Sequence, residues 1–213
     1  GDAKVGLEDL SSALGNWTGS PAWIETAQGH YAEWNRTVDQ HSGPSDAVPP
    51  SYGQVVGAIN RICDSTDLAL TAAGGLPGEL CKNWKTHSIG TFDCEFGFSC
   101  MGYEIAGGWG AKMADPSRDV IVFVGDGSYL MLNSDIYSTV LTGHKMIVIV
   151  CDNGGFSVIN RLQNFKGSAS FNNLLQDCKV ENLQGVDFVQ HATSMGALGE
   201  QVESIAELEA AFK

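Results

Sequence analysis

Asp126 and Asn153 are the two residues of this chain whose types and settings can do chemistry together. Asp126 stands in Val124-Gly-Asp-Gly-Ser128, directly after the apolar run 120–124. Asn153 stands in Val150-Cys-Asp-Asn-Gly-Gly155, directly after the apolar run 146–151. Read as successive strands of one parallel sheet, the two runs bring their carboxyl ends side by side. There a carboxylate oxygen, an amide oxygen and a backbone carbonyl, that of Gly155, form a set of hard donors. Mg²⁺ takes one or two such side-chain oxygens and completes its shell with water and phosphate oxygens. The pair therefore points to a magnesium-bridged diphosphate, with Ser128 and the N–H groups of the Gly125–Ser128 turn as hydrogen-bond partners for the phosphates. Either segment alone reads as a plain turn; the pairing at neighbouring strand ends carries the inference. Other phosphate signatures fail. There is no Gly-Lys-Ser/Thr loop, and Gly125-x-Gly127-x-x-Leu130 lacks the third glycine of a dinucleotide fingerprint.

The elements that must position this pair are legible around it. Residues 1–40 read as helical, with Ser20 as N-cap, Pro21 in the first turn, and Trp23, Ile24, Ala27, Tyr31 and Trp34 on one stripe. The breaker-rich stretch 42–51 is a linker, so a helical segment and linker are placed at 1–50 and one domain at 51–213. Within the domain, Ser51 caps a helix carrying Val55, Val56, Ile59 and Ile62. Residues 67–73 read as a short buried strand ending at Gly74-Gly75. Residues 100–114 read as a helix, 120–124 as a buried strand, 134–142 as a helix stopped by Gly143, and 146–151 as another buried strand. Asp187 and Ser204 read as further N-caps, the latter in a capping box with Glu207. Continuous apolar strands alternating with helices predict an α/β fold, a doubly wound and mostly parallel sheet with helices on both faces. Ligands of such sheets bind beyond the carboxyl ends of the strands. The chain starts and stops abruptly, which predicts a fragment of a longer protein, cut short at its C-terminus.

Bulk properties narrow the partners. A net charge of −13 excludes a nucleic-acid or anionic-membrane binder, because both need a basic face. No signal peptide or long apolar run is present. Cys63, Cys81, Cys94, Cys100, Cys151 and Cys178 are dispersed, without zinc spacing. Their settings read as buried and unpaired, which predicts a reducing, cytoplasmic location. Of the histidines, His30 and His41 read as surface residues, His144 as a helix-end residue and His191 as part of a helix. His87, in a loop, is left as a substrate candidate.

Gly125-Asp126-Gly127, then Asn153 after a gap of roughly twenty-five residues, resembles the diphosphate-binding motif of thiamine-diphosphate enzymes. One departure is visible: the family's Asn-Asn is here Asp152-Asn153. By the resemblance the second position ligates the metal, so Asn153 keeps that role. Three longer stretches narrow the resemblance: 72–80 around Gly74-Gly75, 98–108 around Ser99-Cys-Met101, and Ile159-Asn-Arg-Leu162 with 169–174 beyond it. Together they look like the trihydroxycyclohexanedione hydrolases of myo-inositol breakdown, over nearly the whole chain.

The resemblance implies thiamine diphosphate and Mg²⁺ as cofactors, with Asp126, Asn153 and Gly155 as the metal set. It places Gly75 and Leu76 against the diphosphate, Ser99 and Cys100 beside the aminopyrimidine, and Met101 as the apolar prop that bends the cofactor. It implies ring opening of a cyclic 1,2-dione by carbon–carbon cleavage and hydrolysis to an open-chain deoxyhexuronic acid, in a homo-oligomer. The activating glutamate of the family belongs to a pyrimidine-binding domain that nothing here resembles. Glu79, Glu95 and Glu104 are not in its context. No catalytic residue is therefore assigned in this chain, which is expected to be inactive alone. Two other readings stay open: a lyase or synthase of the acetolactate-synthase type, and a non-catalytic α/β scaffold with a vestigial site.

Overall fold

The computed structural model describes residues 1–182 and 185–213. The chain divides into two compact units, Gly1–Gln40 and His41–Lys213. The first unit is helical. In it α1 spans Ala3–Leu14, capped by Asp2, whose side chain accepts from the Val5 N–H. Helix α2 begins at Pro21 and runs to Ser42. Ser20 accepts from the Trp23 N–H at 3.2 Å, as an N-cap should. The stripe residues Trp23, Ile24, Tyr31 and Trp34 are exposed.

The second unit is built on a four-stranded sheet of order β2-β1-β3-β4, parallel throughout. Its strands are β1 (Leu68–Thr71), β2 (Phe92–Cys94), β3 (Val120–Gly125) and β4 (Ile147–Cys151). The helices are α3 (Tyr52–Ile62), α4 (Leu76–Asn83), α5 (Tyr103–Ala114), α6 (Asp126–Met131), α7 (Asp135–Thr142), α8 (Ser157–Phe165), α9 (Phe188–Ser194) and α10 (Ile205–Phe212). The caps follow the sequence signals. Ser51 closes a capping box with Gln54, Ser204 closes one with Glu207, Asp187 accepts from the Gln190 N–H, and Gly143 ends α7 at φ 70°.

The alternation along β3 shows why both faces are covered. Ile121 and Phe123 pack with Val56, Ile59, Leu76, Leu80 and Ile205, from α3, α4 and α10. Val120, Val122 and Val124 point the other way, with Ile105, Tyr129 and Ile136 from α5, α6 and α7. Five of the six β3 residues are fully enclosed. The expected α/β sheet with helices on both faces is the observed one.

Several local expectations need correction. Strand β4 is only half-buried along its length, because it is the edge strand of the described sheet, although its composition equals that of a central strand. The strand expected at 67–73 is hydrogen-bonded only over Leu68–Thr71. Helix α5 starts at Tyr103, not at residue 100. Ser99 (φ 52°) and Gly102 (φ 94°) are left-handed, and an α-helix cannot pass through such residues. Cys81 and Cys100 are exposed and Cys63, Cys94, Cys151 and Cys178 half-buried, where burial was expected, and all six are free thiols. No helix among the described residues is long and apolar enough to cross a membrane.

Candidate cofactor site

The sheet order places a topological switch between β1 and β3: the chain leaves β1 for β2 on one side, then returns to β3 on the other. The carboxyl ends of two diverging strands leave a crevice there. A cleft of about 280 Å³ opens at this point. Ten of the eleven residues assigned from sequence line it: Gly75, Leu76, Ser99, Met101, Gly125, Asp126, Gly127, Ser128, Asn153 and Gly155. The eleventh, Cys100, is exposed and does not line the cleft; its N–H donates to Glu95 at 2.7 Å. His87 is exposed and also lies outside the lining.

Asp126 begins α6 at the end of β3 and is 4% exposed. Its Oδ2 accepts from the Gly155 N–H at 2.7 Å, which ties the ends of β3 and β4 together. Its Oδ1 is buried and has no hydrogen-bond partner. Burial pushes this carboxyl above its usual range. The Gly155 N–H offsets part of that, the charge of Asp152 adds to it, and the N–H dipoles of Gly127 and Asn153 reduce it again. A buried carboxylate oxygen left without a hydrogen-bond partner costs about 1–3 kcal/mol, which either a proton or a bound cation would relieve.

The Asn153 amide nitrogen donates to the Tyr52 hydroxyl at 2.6 Å. An amide whose nitrogen is engaged has its oxygen left to offer. Tyr52 is the first residue of α3, and burial holds its phenol above the ordinary value. The turn that carries Asn153 is shaped locally. Asp152 accepts from the Gly154 N–H at 2.9 Å, and Gly154 and Gly155 sit at φ 74° and 132°. It is also pinned from outside. Phe156 donates to Asn173 O at 2.7 Å, Leu175 donates to Gly154 O at 2.8 Å, and Gly155 bridges Leu174. The stretch 169–174, singled out in the sequence, thus acts by holding the second strand-end loop.

The glycines of the motif have distinct reasons. A Cβ on Gly127 would lie 2.7 Å from the Phe156 ring and 3.5 Å from Met101. A Cβ on Gly125 would meet nothing within 4 Å, so at that position the space stays open for a ligand. Among the described residues no three His, Cys, Asp or Glu side chains cluster as a metal cage. A cation here would be held by one carboxylate, neutral oxygens and the ligand's own charge. The donor set, the unpartnered Asp126 oxygen and the open face of Gly125 fit a metal-bridged diphosphate. Cys151, next to this site, is pushed up to about 12, first by burial and then by the Asp126 charge, and so stays a neutral thiol.

Tyr52, Glu104, Phe156 and Ser157 carry no signal of a role in the sequence, and Ile159 and Leu162 none beyond family likeness. Five of these line the cleft. Glu104 lies beneath it, fully enclosed.

Residues 72–213 match the family described as thiamine pyrophosphate enzyme, C-terminal TPP binding domain. The chain belongs to that family. It is similar to the 3D-(3,5/4)-trihydroxycyclohexane-1,2-dione hydrolase of Geobacillus thermodenitrificans, at 33% identity over 99% of this chain and 37% of that protein. It is likewise similar to the enzyme of the same name from Bacillus thuringiensis, at 39% identity over 99% of this chain and 33% of that protein. The chain thus spans about a third of the length of these curated relatives. Among solved structures, the Rhodococcus jostii RHA1 thiamine diphosphate-dependent 4-hydroxybenzoylformate decarboxylase superposes with a TM-score of 0.70 at 18% identity. That match covers 79% of this chain and 31% of the decarboxylase, and shows a shared fold.

Proposed function

We propose that this chain is the diphosphate-holding part of a Mg²⁺- and thiamine-diphosphate-dependent hydrolase that opens a cyclic 1,2-dione by carbon–carbon cleavage. The observation that carries the reading is the buried, unpartnered Oδ1 of Asp126 beside an Asn153 whose amide nitrogen is already engaged. Asp126, the Asn153 amide oxygen and the Gly155 carbonyl would hold the cation. The turn N–H groups of Gly125, Gly127 and Ser128, with the loop at Gly75 and Leu76, would take the phosphate oxygens. Ser128 enters through its backbone, since its one hydroxyl proton already goes to Glu104. Met101, beside Gly127, would prop the cofactor. Ser99 would stand near its ring, and Cys100 would contribute only backbone between them.

When bound, thiamine diphosphate supplies a nucleophilic carbon that adds to a carbonyl and takes up the electron pair of the broken bond. This chain's own part is binding and orientation. Its two strand ends would fix the cation, and Phe156, Val158, Ile159 and Leu162 give the cleft an apolar wall. The domain assignment 51–213, a homo-oligomeric parent protein, a small cyclic dione as substrate and a cytoplasmic location belong to the same reading. The activating carboxylate is assigned outside these 213 residues.

Equilibrium dialysis of the chain with thiamine diphosphate, in Mg²⁺ and in chelator, tests the binding half. Saturable binding only with Mg²⁺ is expected; no binding, or binding indifferent to Mg²⁺, contradicts it. Supplying the dione to the loaded chain should give no turnover, and substantial turnover would remove the claim that the activating group lies elsewhere. Tyr52→Phe gives a finer check. It takes away only the hydroxyl that receives the Asn153 amide. One net hydrogen bond is about 1 kcal/mol, so the Mg²⁺ concentration for half-saturation should rise about fivefold, with little change in melting temperature. An unchanged Mg²⁺ requirement would mean that Tyr52 does not orient Asn153.

A further inference from the structure

Glu104 is a fully enclosed carboxylate in the first turn of α5, and none of the ion pairs among the described residues involves it. Burying an anion without a cation is costly unless its oxygens are saturated with donors. Here they are. The Ala73 N–H donates to Oε1 at 3.1 Å, and the Gly102 N–H donates to Oε2 at 2.9 Å. The Ser128 hydroxyl lies 2.8 and 2.9 Å from the two oxygens and itself accepts from the Gly102 N–H at 3.0 Å. These donors come from three segments far apart in sequence, and each borders the cleft: the loop after β1, the turn after Met101, and the first turn of α6.

We infer that Glu104 is the positioning residue that joins the three walls of the cofactor cleft, setting affinity for thiamine diphosphate and Mg²⁺ without touching either. The inference rests on the proposed cofactor site. Its geometric basis is that one side chain fixes the spacing between the Gly74-Gly75 loop, Met101 and the Gly125–Ser128 turn. A surface ion pair could not do this, since water would compete for each bond. A larger apolar residue could fill the space but would leave the Ala73 and Gly102 N–H groups without partners. The acceptor must offer two oxygens. The site holds three donors, and a Gln at this position would set its NH₂ against one of the backbone N–H groups.

Glu104→Gln is the test, in the full 213-residue chain, because it changes neither length nor volume. Two readouts are needed. The first is the dissociation constant for thiamine diphosphate in saturating Mg²⁺, measured well below the melting temperature. The second is amide hydrogen exchange in the ligand-free chain over peptides containing Ala73, Gly102 and Ser128. Affinity should fall about tenfold, as expected for loss of a bond to a charged group, and exchange should quicken in all three peptides together. Ile136→Ala, a core truncation in α7, serves as the comparison for lost stability: it should leave the dissociation constant near wild type and quicken exchange across the core without singling out these three peptides. Ser128→Ala, which removes the bridging hydroxyl, should quicken the same three peptides by a smaller factor, and covers the case in which Glu104→Gln does not fold. Wild-type affinity in Glu104→Gln, or an exchange pattern no different from Ile136→Ala, overturns the inference while leaving the cofactor reading intact. If the wild-type chain itself fails to bind, the cofactor reading falls and this inference falls with it.

Discussion

Asp126→Ala is expected to abolish Mg²⁺-dependent binding of thiamine diphosphate, by at least about 100-fold. Removing groups one layer outside a metal typically costs 10–100-fold, and Asp126 is the only carboxylate proposed to touch the cation. The companion variant Asp126→Asn separates charge from shape. Its oxygen can still accept from the Gly155 N–H, so the link between β3 and β4 is kept, yet it offers the cation no charge. It should lose binding nearly as fully. The same substitution carries a pH signature in the ligand-free chain. Burial raises the folded-state Asp126 carboxyl above its ordinary 3.8. The folded chain then holds that proton more tightly than the unfolded chain does, so stability falls as pH rises from the unfolded value through the folded one. In chelator, the melting temperature of Asp126→Asn should therefore gain on wild type as pH rises from about 4 toward neutrality. Adding Mg²⁺ with thiamine diphosphate should reverse the order, because only wild type gains binding energy. A difference between the two proteins that ignores both pH and ligand would mean that the Asp126 charge plays no part.

Gly155→Ala should be among the most damaging single-methyl changes in the chain. Its φ of 132° is closed to L side chains, and the added Cβ would lie 2.5 Å from Asn173 O and 3.1 Å from the Leu174 Cα. Both obstacles are backbone, held by the Gly155–Leu174 bridge, so neither can swing aside. Backbone strain of about 1–3 kcal/mol and overpacking of similar size together predict a loss of about 2–5 kcal/mol. For a domain of this size that is a fall of roughly 5–15 °C in melting temperature. Because the Gly155 N–H also holds Asp126, cofactor binding should weaken beyond what the stability loss explains. Gly110→Ala is the control: its Cβ meets nothing within 4 Å, and it sits inside α5, where Ala is favoured over Gly by about 1 kcal/mol. It should be neutral or slightly stabilising in the same melting experiment. Equal melting temperatures for the two variants would contradict the backbone geometry described here.

What the sequence made legible follows from how local each signal is. The runs at β3 and β4 are long, apolar and bounded by glycine, so strand, direction and ligand end could all be read from them. Asp126 and Asn153 could then be paired through the strand–helix–strand rule without any structure. Strand β2 escaped because Phe92-Asp-Cys94 is too short to show a period. The late start of α5 escaped because Ser99 is not a residue type that announces a left-handed backbone. Burial was misjudged where it depends on neighbours: β4 has a core composition but an edge position, while Glu104 has a surface composition and no exposure. Tyr52 meets Asn153 across 101 positions of sequence, and no periodicity reports such a contact. Local chemistry pointed to the proposed ligands of the cation, and the groups that hold those side chains came only from the fold.

The most direct measurement is a crystal structure of this chain with thiamine diphosphate and Mn²⁺ in place of Mg²⁺, with the metal located by its anomalous signal. The expected result is a single ion about 2 Å from Asp126 Oδ1, bound also by the Asn153 amide oxygen and the Gly155 carbonyl, and bridged to the diphosphate. A bound cofactor whose metal lies elsewhere, with Asp126 Oδ1 still without a partner, would contradict it.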